Sequence, residues 1–237
     1  EVLDTFGDKA SARRLALQQG VPLTQGTNEP TTLEQARDFM QSLGDGAAVM
    51  LKALAGGGGR GMRAVHDLAE LDDAFARCSS EATAAFGRGD LYVERLIRRA
   101  RHIEVQIIGD GSEVAHVWER DCTLQRRNQK LLEVAPAPSL DPAVRKQLHE
   151  AACTLTRAVG YRGLCTVEFL LDEERGDFVF MEANPRIQVE HTVTEAVTGL
   201  DLAVTQIQLA AGKTLAELGL TQTEIPAPRG FAVQLRI

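Results

Sequence analysis

The stretch Met181-Glu182-Ala183-Asn184-Pro185-Arg186-Ile187-Gln188-Val189-Glu190-His191 decides how this sequence is interpreted. Residues 166–171 and 178–183 are rich in β-branched, aromatic and aliphatic side chains, and the residues between them are turn-like. These runs predict a β-hairpin centred on Arg175, in which Glu168 lies opposite Glu182. Two carboxylates directly across a strand pair repel each other, so the arrangement predicts a cation between them.

Asn184 follows Glu182 on the same face of the predicted strand. Two carboxylates and an amide oxygen suit a hard, octahedral ion such as Mg²⁺ or Mn²⁺, which also takes phosphate oxygens and water as ligands. Glu168, Glu182 and Asn184 are therefore the predicted metal ligands. A solvated strand face is the alternative interpretation of the same pattern.

The residues after Glu182 predict an anion site beside this metal. Arg186 offers a planar fork of donors, which suits bidentate capture of a carboxylate-like or phosphate-like anion. Glu190 is a candidate general base, whose task would be to take a proton from a small bound acid. The stretch therefore predicts a metal-nucleotide site joined to a site for a small anion.

The composition is that of an ordinary globular chain. The 237 residues are 44% hydrophobic and 25% charged, and they include 21 glycines. The formal net charge of −7 argues against a general nucleic-acid binder, whose affinity comes largely from Lys and Arg on phosphates. No apolar run approaches the ~18 residues of a membrane span, and no signal-peptide pattern opens the chain. We therefore expect no nucleic-acid partner and no membrane association.

The four cysteines form no CxxC pair and predict neither a disulfide scaffold nor a zinc site. Reduced thiols predict a cytoplasmic protein, with an organellar matrix as the other compartment that fits. The chain begins at Glu1 rather than at a methionine and ends in the strand-like run of residues 230–237. We therefore expect the sequence to be an excerpt from a longer protein.

Hydrophobic periodicity predicts both helices and strands. Helices are expected over residues 8–19, 33–43, 67–78 and 141–160, from about residue 194, and over residues 201–211. The spacing from Thr31 to Glu34 predicts a capping box for the second helix. Strands are expected over residues 48–52, 63–66 and 91–94, in a hairpin of 101–108 with 113–119 around residues 109–111, and over residues 230–237.

A glycine-rich segment, Gly56-Gly57-Gly58-Gly59-Arg60-Gly61, joins two of the predicted strands. It lacks the Gly-Lys-Ser/Thr ending of a P-loop, and no helix follows it directly. Consecutive glycines let backbone N–H groups approach phosphate oxygens without obstruction by Cβ, and they ease opening and closing. We interpret the segment as a flap over phosphates, to which Lys52 adds positive charge. A loose surface hairpin is the alternative.

Seven short motifs in this sequence carry a resemblance to a known family, because they keep the order and the approximate spacing found in that family. They are Lys9, Lys52 with the glycine-rich loop, Val93-Glu94-Arg95, Arg101-His102-Ile103-Glu104, residues 119–130 (ERDCTLQRRNQK), Ala135-Pro136-Ala137-Pro138 and Glu182 to His191. In these motifs the sequence resembles biotin carboxylases, over essentially all of its length. The resemblance implies an α+β class and the ATP-grasp fold, in which a small lid and a larger antiparallel-sheet body clamp ATP.

The resemblance also implies a role for each matching residue. ATP contacts are implied for Lys9, Lys52, Gly57, Gly58, Gly59, Glu94, Ile97, His102, Gln125, Asn128 and Leu170. The metal ligands are again Glu168, Glu182 and Asn184. Binding and deprotonation of bicarbonate is implied for Lys130, Arg186, Gln188 and Glu190, and stabilisation of the carboxyphosphate and biotin enolate charges for Arg236.

The implied reaction has two steps. ATP phosphorylates bicarbonate to carboxyphosphate, and the carboxyl group then passes to N1 of biotin on a carrier domain. The expected partners are a biotin carboxyl carrier domain, a carboxyltransferase domain or subunit, and further copies in a homo-oligomer. The final acceptor is left open among acetyl-CoA, propionyl-CoA, longer acyl-CoA, pyruvate and urea.

The implied domain plan is a leading segment of the body at residues 1–23, a lid at 24–97 and the body with its metal and bicarbonate site at 98–237. The flanking N- and C-terminal biotin carboxylase domains are absent from the sequence. Asn128 departs from the family, since many members have His there, and Asn cannot carry the charge of an imidazolium. The alternatives are another ATP-grasp ligase, similar to carbamoyl-phosphate synthetase, and a non-catalytic nucleotide-binding module.

Overall fold

The computed structural model describes residues 6–27, 29–44, 46–55, 61–127 and 129–236, without the side chains of residues 9 and 10. The chain divides into two compact units. The large unit comprises Glu1–Leu23, Arg99–Arg126 and Lys130–Ile237, and the small unit comprises Thr24–Arg98 and Arg127–Gln129. None of the described helices is long and apolar enough to cross a membrane.

The described residues form both helices and strands. The helices are α1 (Lys9–Gln18), α2 (Leu33–Ser42), α3 (Leu71–Phe86, after a 3₁₀ turn at Leu68–Glu70), α4 (Pro142–Ala158), α5 (His191–Thr198) and α6 (Leu202–Ala210). The strands are β1 (Val49–Ala53), β2 (Met62–Val65), β3 (Leu91–Arg95), β4 (Ala100–Asp110), β5 (Val114–Asp121), β6 (Gln125–Arg126), β7 (Gln129–Lys130), β8 (Leu132–Ala135), β9 (Arg162–Asp172), β10 (Phe178–Asn184) and β11 (Ala232–Leu235).

The small unit is a three-stranded antiparallel sheet with α2 and α3 packed against it. The strand order is β2-β1-β3, so β1 lies in the centre. Leu51 and Val93 from the sheet pack with Leu71 and Cys78 from α3 in one buried core. The predicted third helix was too short, since α3 continues to Phe86 and ends where Gly87 adopts a left-handed φ of 74°.

The capping box of α2 lies one residue later than predicted. Thr32 accepts a hydrogen bond from the Gln35 amide, and the Gln35 side chain accepts one from the Thr32 amide. Thr31 is buried instead, and its amide donates to the Leu91 carbonyl of β3 at 2.8 Å. Because Thr31 is used to attach the start of the helix to the sheet, the next residue takes the cap.

The large unit is built on a six-stranded antiparallel sheet in the order β10-β9-β4-β5-β8-β11. Alternate residues of β4 and β9, such as Ile103 and Val167, pack against Leu148 and Leu155 of α4. The intervening residues point to the other face, which also carries α5 and α6. Each strand therefore separates an apolar core face from a face that is free to carry polar groups.

The hairpin of β4 and β5 turns one residue later than predicted. Gly109 pairs with Val114, and Gly111 has a φ of 94° that glycine tolerates. The Asp110 carboxylate accepts hydrogen bonds from the Ser112 and Glu113 amides at 2.8 and 2.7 Å. These bonds close the turn over residues 111–112 rather than over 109–111.

A β-bulge in β10 determines which way its carboxylate points. Phe180 pairs with Phe169, but the next pair is Glu182 with Glu168, so Met181 is the extra residue. Without the bulge, Glu182 would be opposite Val167 on the apolar core face. The predicted pairing of Glu168 with Glu182 is thus confirmed, and the bulge is the local structure that produces it.

Candidate active site

A row of charged residues crosses four adjacent strands of the large unit. Arg120 of β5 pairs with Glu104 of β4, Glu104 pairs with Glu168 of β9, and Glu168 pairs with Glu182 of β10. Directly paired residues of antiparallel strands point to the same face. Three carboxylates therefore lie side by side with an arginine at one end, and this row forms the floor of the candidate site.

Lys130 lies over the row and joins three carboxylates. Its Nζ donates to Glu104 Oε2 at 2.5 Å, Glu190 Oε1 at 2.7 Å and Glu168 Oε1 at 3.1 Å. Burial opposes the charge of the ammonium, but the charges of Glu104, Glu168 and Glu190 more than offset this effect and raise the pKa of Lys130. Lys130 is therefore a permanent cation in the site.

Glu168 is the most heavily bonded carboxylate of the row. It accepts hydrogen bonds from His102 Nε2 at 2.6 Å and Gln188 Nε2 at 3.0 Å, besides the one from Lys130. Burial raises the pKa of Glu168. The hydrogen bond from His102 and the charge of Lys130 lower this pKa by more than burial raises it, so the net shift is downward. Glu168 is thus ionised at neutral pH, as its predicted role as a metal ligand requires.

Gln125 defines the hydrogen-bonding state of His102. The Gln125 amide nitrogen donates to the Cys122 carbonyl at 2.9 Å and lies 2.8 Å from His102 Nδ1. Because this nitrogen is a donor, His102 Nδ1 accepts, and the ring proton is on the Nε2 that faces Glu168. The structure therefore brings two of the predicted ATP contacts together with a predicted metal ligand.

The predicted metal ligands form one end of the row. The Asn184 amide nitrogen donates to Glu168 Oε1 at 2.9 Å and to Glu182 Oε1 at 3.3 Å. Their carboxylate and amide oxygens are the chemistry that Mg²⁺ and Mn²⁺ prefer, so the residues fit such an ion. The cations Arg120 and Lys130 lie toward the other end, at Glu104.

Among the described residues, two groups of side chains bring possible metal-binding atoms within 4.8 Å of one another. They are His102 with Glu104 and Glu168, and Glu104 with Cys122 and Glu190. Lys130 Nζ contacts two members of each group but only Glu168 of the predicted set, so a metal in either group would lie closer to an ammonium group. Repulsion between these cations favours the set of Glu168, Glu182 and Asn184.

Glu190, the predicted base, is held by one cation on each oxygen. Oε1 accepts from Lys130 at 2.7 Å and Oε2 accepts from Arg236 Nη2 at 2.8 Å. The residue is buried and occupies the N-cap position of α5, without a capping hydrogen bond from its side chain. The predicted bicarbonate residues Lys130 and Glu190 and the predicted Arg236 therefore form one connected chain of charges.

Arg236 also contacts Glu133 of β8. Its Nε lies 2.6 Å from Glu133 Oε1, in an orientation that makes an ion pair rather than a directed hydrogen bond. Burial raises the pKa of Glu133, and Arg236 offsets only part of that rise. Glu133 is thus a second carboxylate that orients Arg236 toward Glu190.

Arg186 and Gln188 retain bonding capacity for a ligand. Arg186 is exposed, and the contacts of its guanidinium with the described residues are long, at 3.3 Å to the Ile187 carbonyl and 3.5 Å to Asn184 Oδ1. Gln188 is buried, and its Oε1 has no hydrogen-bond partner among the described residues. A buried polar atom without a partner is costly, which is consistent with an atom reserved for a ligand.

The small unit holds two of the predicted ATP residues in one ion pair. Lys52 of β1 donates to Glu94 of β3, and its Nζ lies 6.0 Å from the centroid of the Tyr92 ring. Ile97 is partly buried in the same unit, and Leu170 is partly buried in the large unit. Gly57, Gly58, Gly59, Asn128 and the side chain of Lys9 lie outside the described residues.

Sequence reasoning did not assign roles to Glu104, Arg120 or Glu133. Glu104 and Arg120 both stand in motifs that carried the resemblance, so the residues were available in the sequence. The pairing of Glu104 with Arg120 could not be predicted from the sequence. A register shift in β5 near Trp118, whose φ is 62°, makes this pairing differ from that of a regular hairpin.

The chain is similar in fold and in sequence to known proteins. A structure of the biotin carboxylase–β,γ-ATP complex from Campylobacter jejuni matches with a TM-score of 0.91 and 42% identity over 100% of this chain and 52% of that chain. The biotin carboxylase domain of Hydrogenobacter thermophilus 2-oxoglutarate carboxylase, in complex with MgADP, ADP and bicarbonate, matches with a TM-score of 0.90 and 40% identity over 99% of this chain and 51% of that chain. The fold is therefore the ATP-grasp α+β fold, as predicted.

The family follows from the sequence match. The family model described as "Carbamoyl-phosphate synthase L chain, ATP binding domain" matches residues 8–218, and the chain belongs to this family. Pyruvate carboxylase of Aspergillus niger is 49% identical over 239 residues, which cover 100% of this chain and 20% of that protein. The chain thus spans about a fifth of its curated relatives, and the predicted resemblance to biotin carboxylases is confirmed.

Proposed function

We propose that this chain is the ATP-binding part of a biotin carboxylase, which uses ATP and bicarbonate to carboxylate biotin on a carrier. The observation that supports this most is the chain of contacts from Glu168 through Lys130 and Glu190 to Arg236. It joins a nucleotide-metal site directly to a buried carboxylate that is held by two cations. A site that only binds nucleotide has no need for the second half of this arrangement.

The metal and phosphate end comprises Glu168, Glu182 and Asn184, which would hold Mg²⁺ or Mn²⁺. A bound divalent ion neutralises charge on the transferring phosphoryl group. The residues of the chain orient the ligands around it. Glu168 is kept ionised by His102 and Lys130, and Asn184 keeps the two carboxylates together.

The bicarbonate end comprises Arg186, Gln188 and Glu190. The exposed Arg186 fork would bind two oxygens of the anion, and the side-chain amide of Gln188 would add a further hydrogen bond to it, which leaves the hydroxyl proton facing Glu190. Glu190 would take the proton. Each of its oxygens accepts one bond from a cation and retains a lone pair for this purpose.

The small unit would act as a lid, with Lys52 and the glycine-rich segment on the ATP phosphates. Closure of such a lid excludes water from carboxyphosphate, which hydrolyses readily.

The complete protein would include a biotin carrier and a carboxyltransferase and would form a homo-oligomer. Its compartment would be the cytoplasm or an organellar matrix, which its four free, buried cysteines suit. The acceptor to test first is pyruvate, because the curated relatives at 47–49% identity carry the name pyruvate carboxylase.

The test is ADP release by the complete protein that contains this chain, with Mg²⁺, bicarbonate and free biotin. We expect turnover that requires bicarbonate, is stimulated by biotin and is lost in Glu190→Gln. Glu150→Gln is the matched control, because Glu150 is exposed on α4 and its ion pair within the described part of the chain is with Lys146 at 3.7 Å. It should leave turnover unchanged.

Other outcomes identify the alternatives. Bicarbonate-dependent ADP release that responds to an ammonia donor but not to biotin would indicate a carbamoyl-phosphate synthetase-like ligase. Nucleotide binding without any bicarbonate-dependent turnover would indicate a binding module.

A further inference from the structure

We propose that Arg120 is a positioning residue for this reaction, which holds Lys130 through Glu104 and Glu190 through helix α5. This inference rests on the proposed function, since it concerns the same site. Arg120 itself touches neither the predicted metal ligands nor the predicted bicarbonate residues. Its effect on catalysis would therefore be indirect.

The guanidinium of Arg120 is fixed on all sides. The side chain is fully buried, and Nε donates to Glu104 Oε1 at 2.5 Å. Nη1 donates to Gln106 Oε1 and Thr194 Oγ1, both at 2.9 Å, and Nη2 donates to Thr166 Oγ1 at 3.2 Å. A planar fork with this many partners has one orientation, so it can act as a rigid reference point.

The first connection runs through Glu104, which is also fully buried. Its two oxygens have different partners, because Oε1 accepts from Arg120 and Oε2 accepts from Lys130 at 2.5 Å. Arg120 thereby sets the rotation of the carboxylate, and the carboxylate sets the position of Lys130 Nζ. Without Arg120, Glu104 could turn, and Lys130 would follow it away from Glu190.

The second connection runs through Thr194 of α5. This helix begins at His191, directly after its N-cap residue Glu190. The Arg120 to Thr194 hydrogen bond thus attaches the first turns of α5 to the sheet beneath it. The same guanidinium therefore positions Lys130 and Glu190 through two separate sets of contacts. This maintains the 2.7 Å hydrogen bond between them.

The test compares Arg120→Met and Arg120→Lys in the complete protein. We expect Arg120→Met to lower kcat for biotin-stimulated, bicarbonate-dependent ADP release by about 10²-fold, the cost of a misplacement of about 1 Å. The KM for ATP should change little. Arg120→Lys restores charge without the fork and should recover only part of the loss.

Arg145→Met is the matched control. Arg145 donates to Glu119, whose carboxylate is fully buried. Glu119 precedes Arg120 in the sequence, and its side chain lies on the opposite face of β5. Each variant removes the arginine partner of a buried glutamate and is destabilised for that reason, but only Arg120 is connected to the site. An equal fall in kcat in the two variants would overturn the proposal.

A second variant separates positioning from folding. In Arg120→Met the buried charge of Glu104 loses its strongest partner, and Glu104→Gln in the same chain removes that charge. We expect the double variant to recover thermal stability while kcat stays low and no lower than in Lys130→Met alone. Recovery of kcat together with stability would show that Arg120 serves the fold only.

A third readout does not depend on turnover. Lys130 is 14% exposed and held by three carboxylates, so its amine should react slowly with an acylating reagent followed by mass spectrometry. We expect a several-fold faster reaction of Lys130 in Arg120→Met than in the wild type. An unchanged rate would overturn the positioning role, whereas failure of the proposed function would appear in the wild type as missing biotin-stimulated turnover.

Discussion

At the scale of single residues, the site is a balance of buried charges. Glu104, Glu168 and Glu190 are each buried, and each is compensated by Arg120, Lys130 or Arg236. A buried carboxylate without such a partner costs several kcal/mol or takes up a proton. The side chains that keep unused bonding capacity, Arg186 and Gln188, therefore stand out as the places for a ligand.

The first prediction concerns Gln188. In Gln188→Leu, the KM for bicarbonate should rise and kcat/KM for bicarbonate should fall about 10-fold or more, as expected when a hydrogen bond to a charged group worth ~1.5 kcal/mol is lost. Steady-state kinetics with varied bicarbonate measures the change. Gln147→Leu, on the exposed side of α4, is the control and should behave as the wild type. An unchanged KM for bicarbonate in Gln188→Leu would remove Gln188 from the anion site.

At the scale of elements, small irregularities place the functional groups. The bulge at Met181 turns Glu182 to the polar face, and the register shift in β5 places Arg120 opposite Glu104. The sequence predicted the pairing of Glu168 with Glu182 because a hairpin centred on Arg175 happens to have that pairing in the half farther from the turn. It did not predict the pairs nearer the turn, where Phe178 is opposite Leu171.

The second prediction concerns the packing of α4 on β5. The rings of His116 and His149 lie 3.9 Å apart, and burial together with the charge of His149 lowers the pKa of His116 from 6.5 to about 4. Between these pH values the unfolded chain binds a proton at His116 that the folded chain does not. The contribution of His116 to the free energy of unfolding is therefore complete above about pH 6.5 and decreases as the pH falls toward 4. The loss at pH 5 should be about 1–2 kcal/mol, after allowance for partial exposure.

Hydrogen exchange of the β5 and α4 amides at pH 6.5 and pH 5 measures this loss. His116→Phe keeps a ring against His149 and should abolish the pH dependence. His66→Phe is the control, because His66 is exposed in the small unit, and it should leave the dependence as in the wild type. A dependence that survives in His116→Phe would assign it to another group.

At the scale of the whole molecule, the predicted site residues are divided between two compact units. The small unit holds Lys52 and Glu94 on neighbouring strands, and the large unit holds the row of carboxylates with Lys130, Glu190 and Arg236. Two of the structural relatives are about twice as long as this chain, which spans 52% and 51% of them. We therefore expect a change in the small unit to affect nucleotide binding without affecting bicarbonate binding.

The third prediction follows from this division. Lys52→Met removes the cation that pairs with Glu94 and would neutralise ATP phosphates, so the KM for ATP should rise about 10-fold or more. The KM for bicarbonate should not change. Kinetics with each substrate varied in turn, run beside Gln188→Leu, measures both constants. Arg37→Met, which removes an exposed ion pair with Asp72 in the same unit, should alter neither. A parallel rise of both constants in Lys52→Met would contradict the division.

The sequence by itself determined the class of elements, most of their bounds, the ATP-grasp fold and the set of residues in which the chemistry is proposed to lie. These depend on local periodicity, on capping residues such as Asp141 before Pro142, and on motifs whose order can be read along the chain. The tertiary structure alone decided that Arg120 and Glu104 complete the row and that Lys130 joins Glu168 to Glu190. Those contacts depend on strand order, on register and on two irregular positions, and such long-range geometry is set by packing of the whole sheet rather than by the preferences of neighbouring residues.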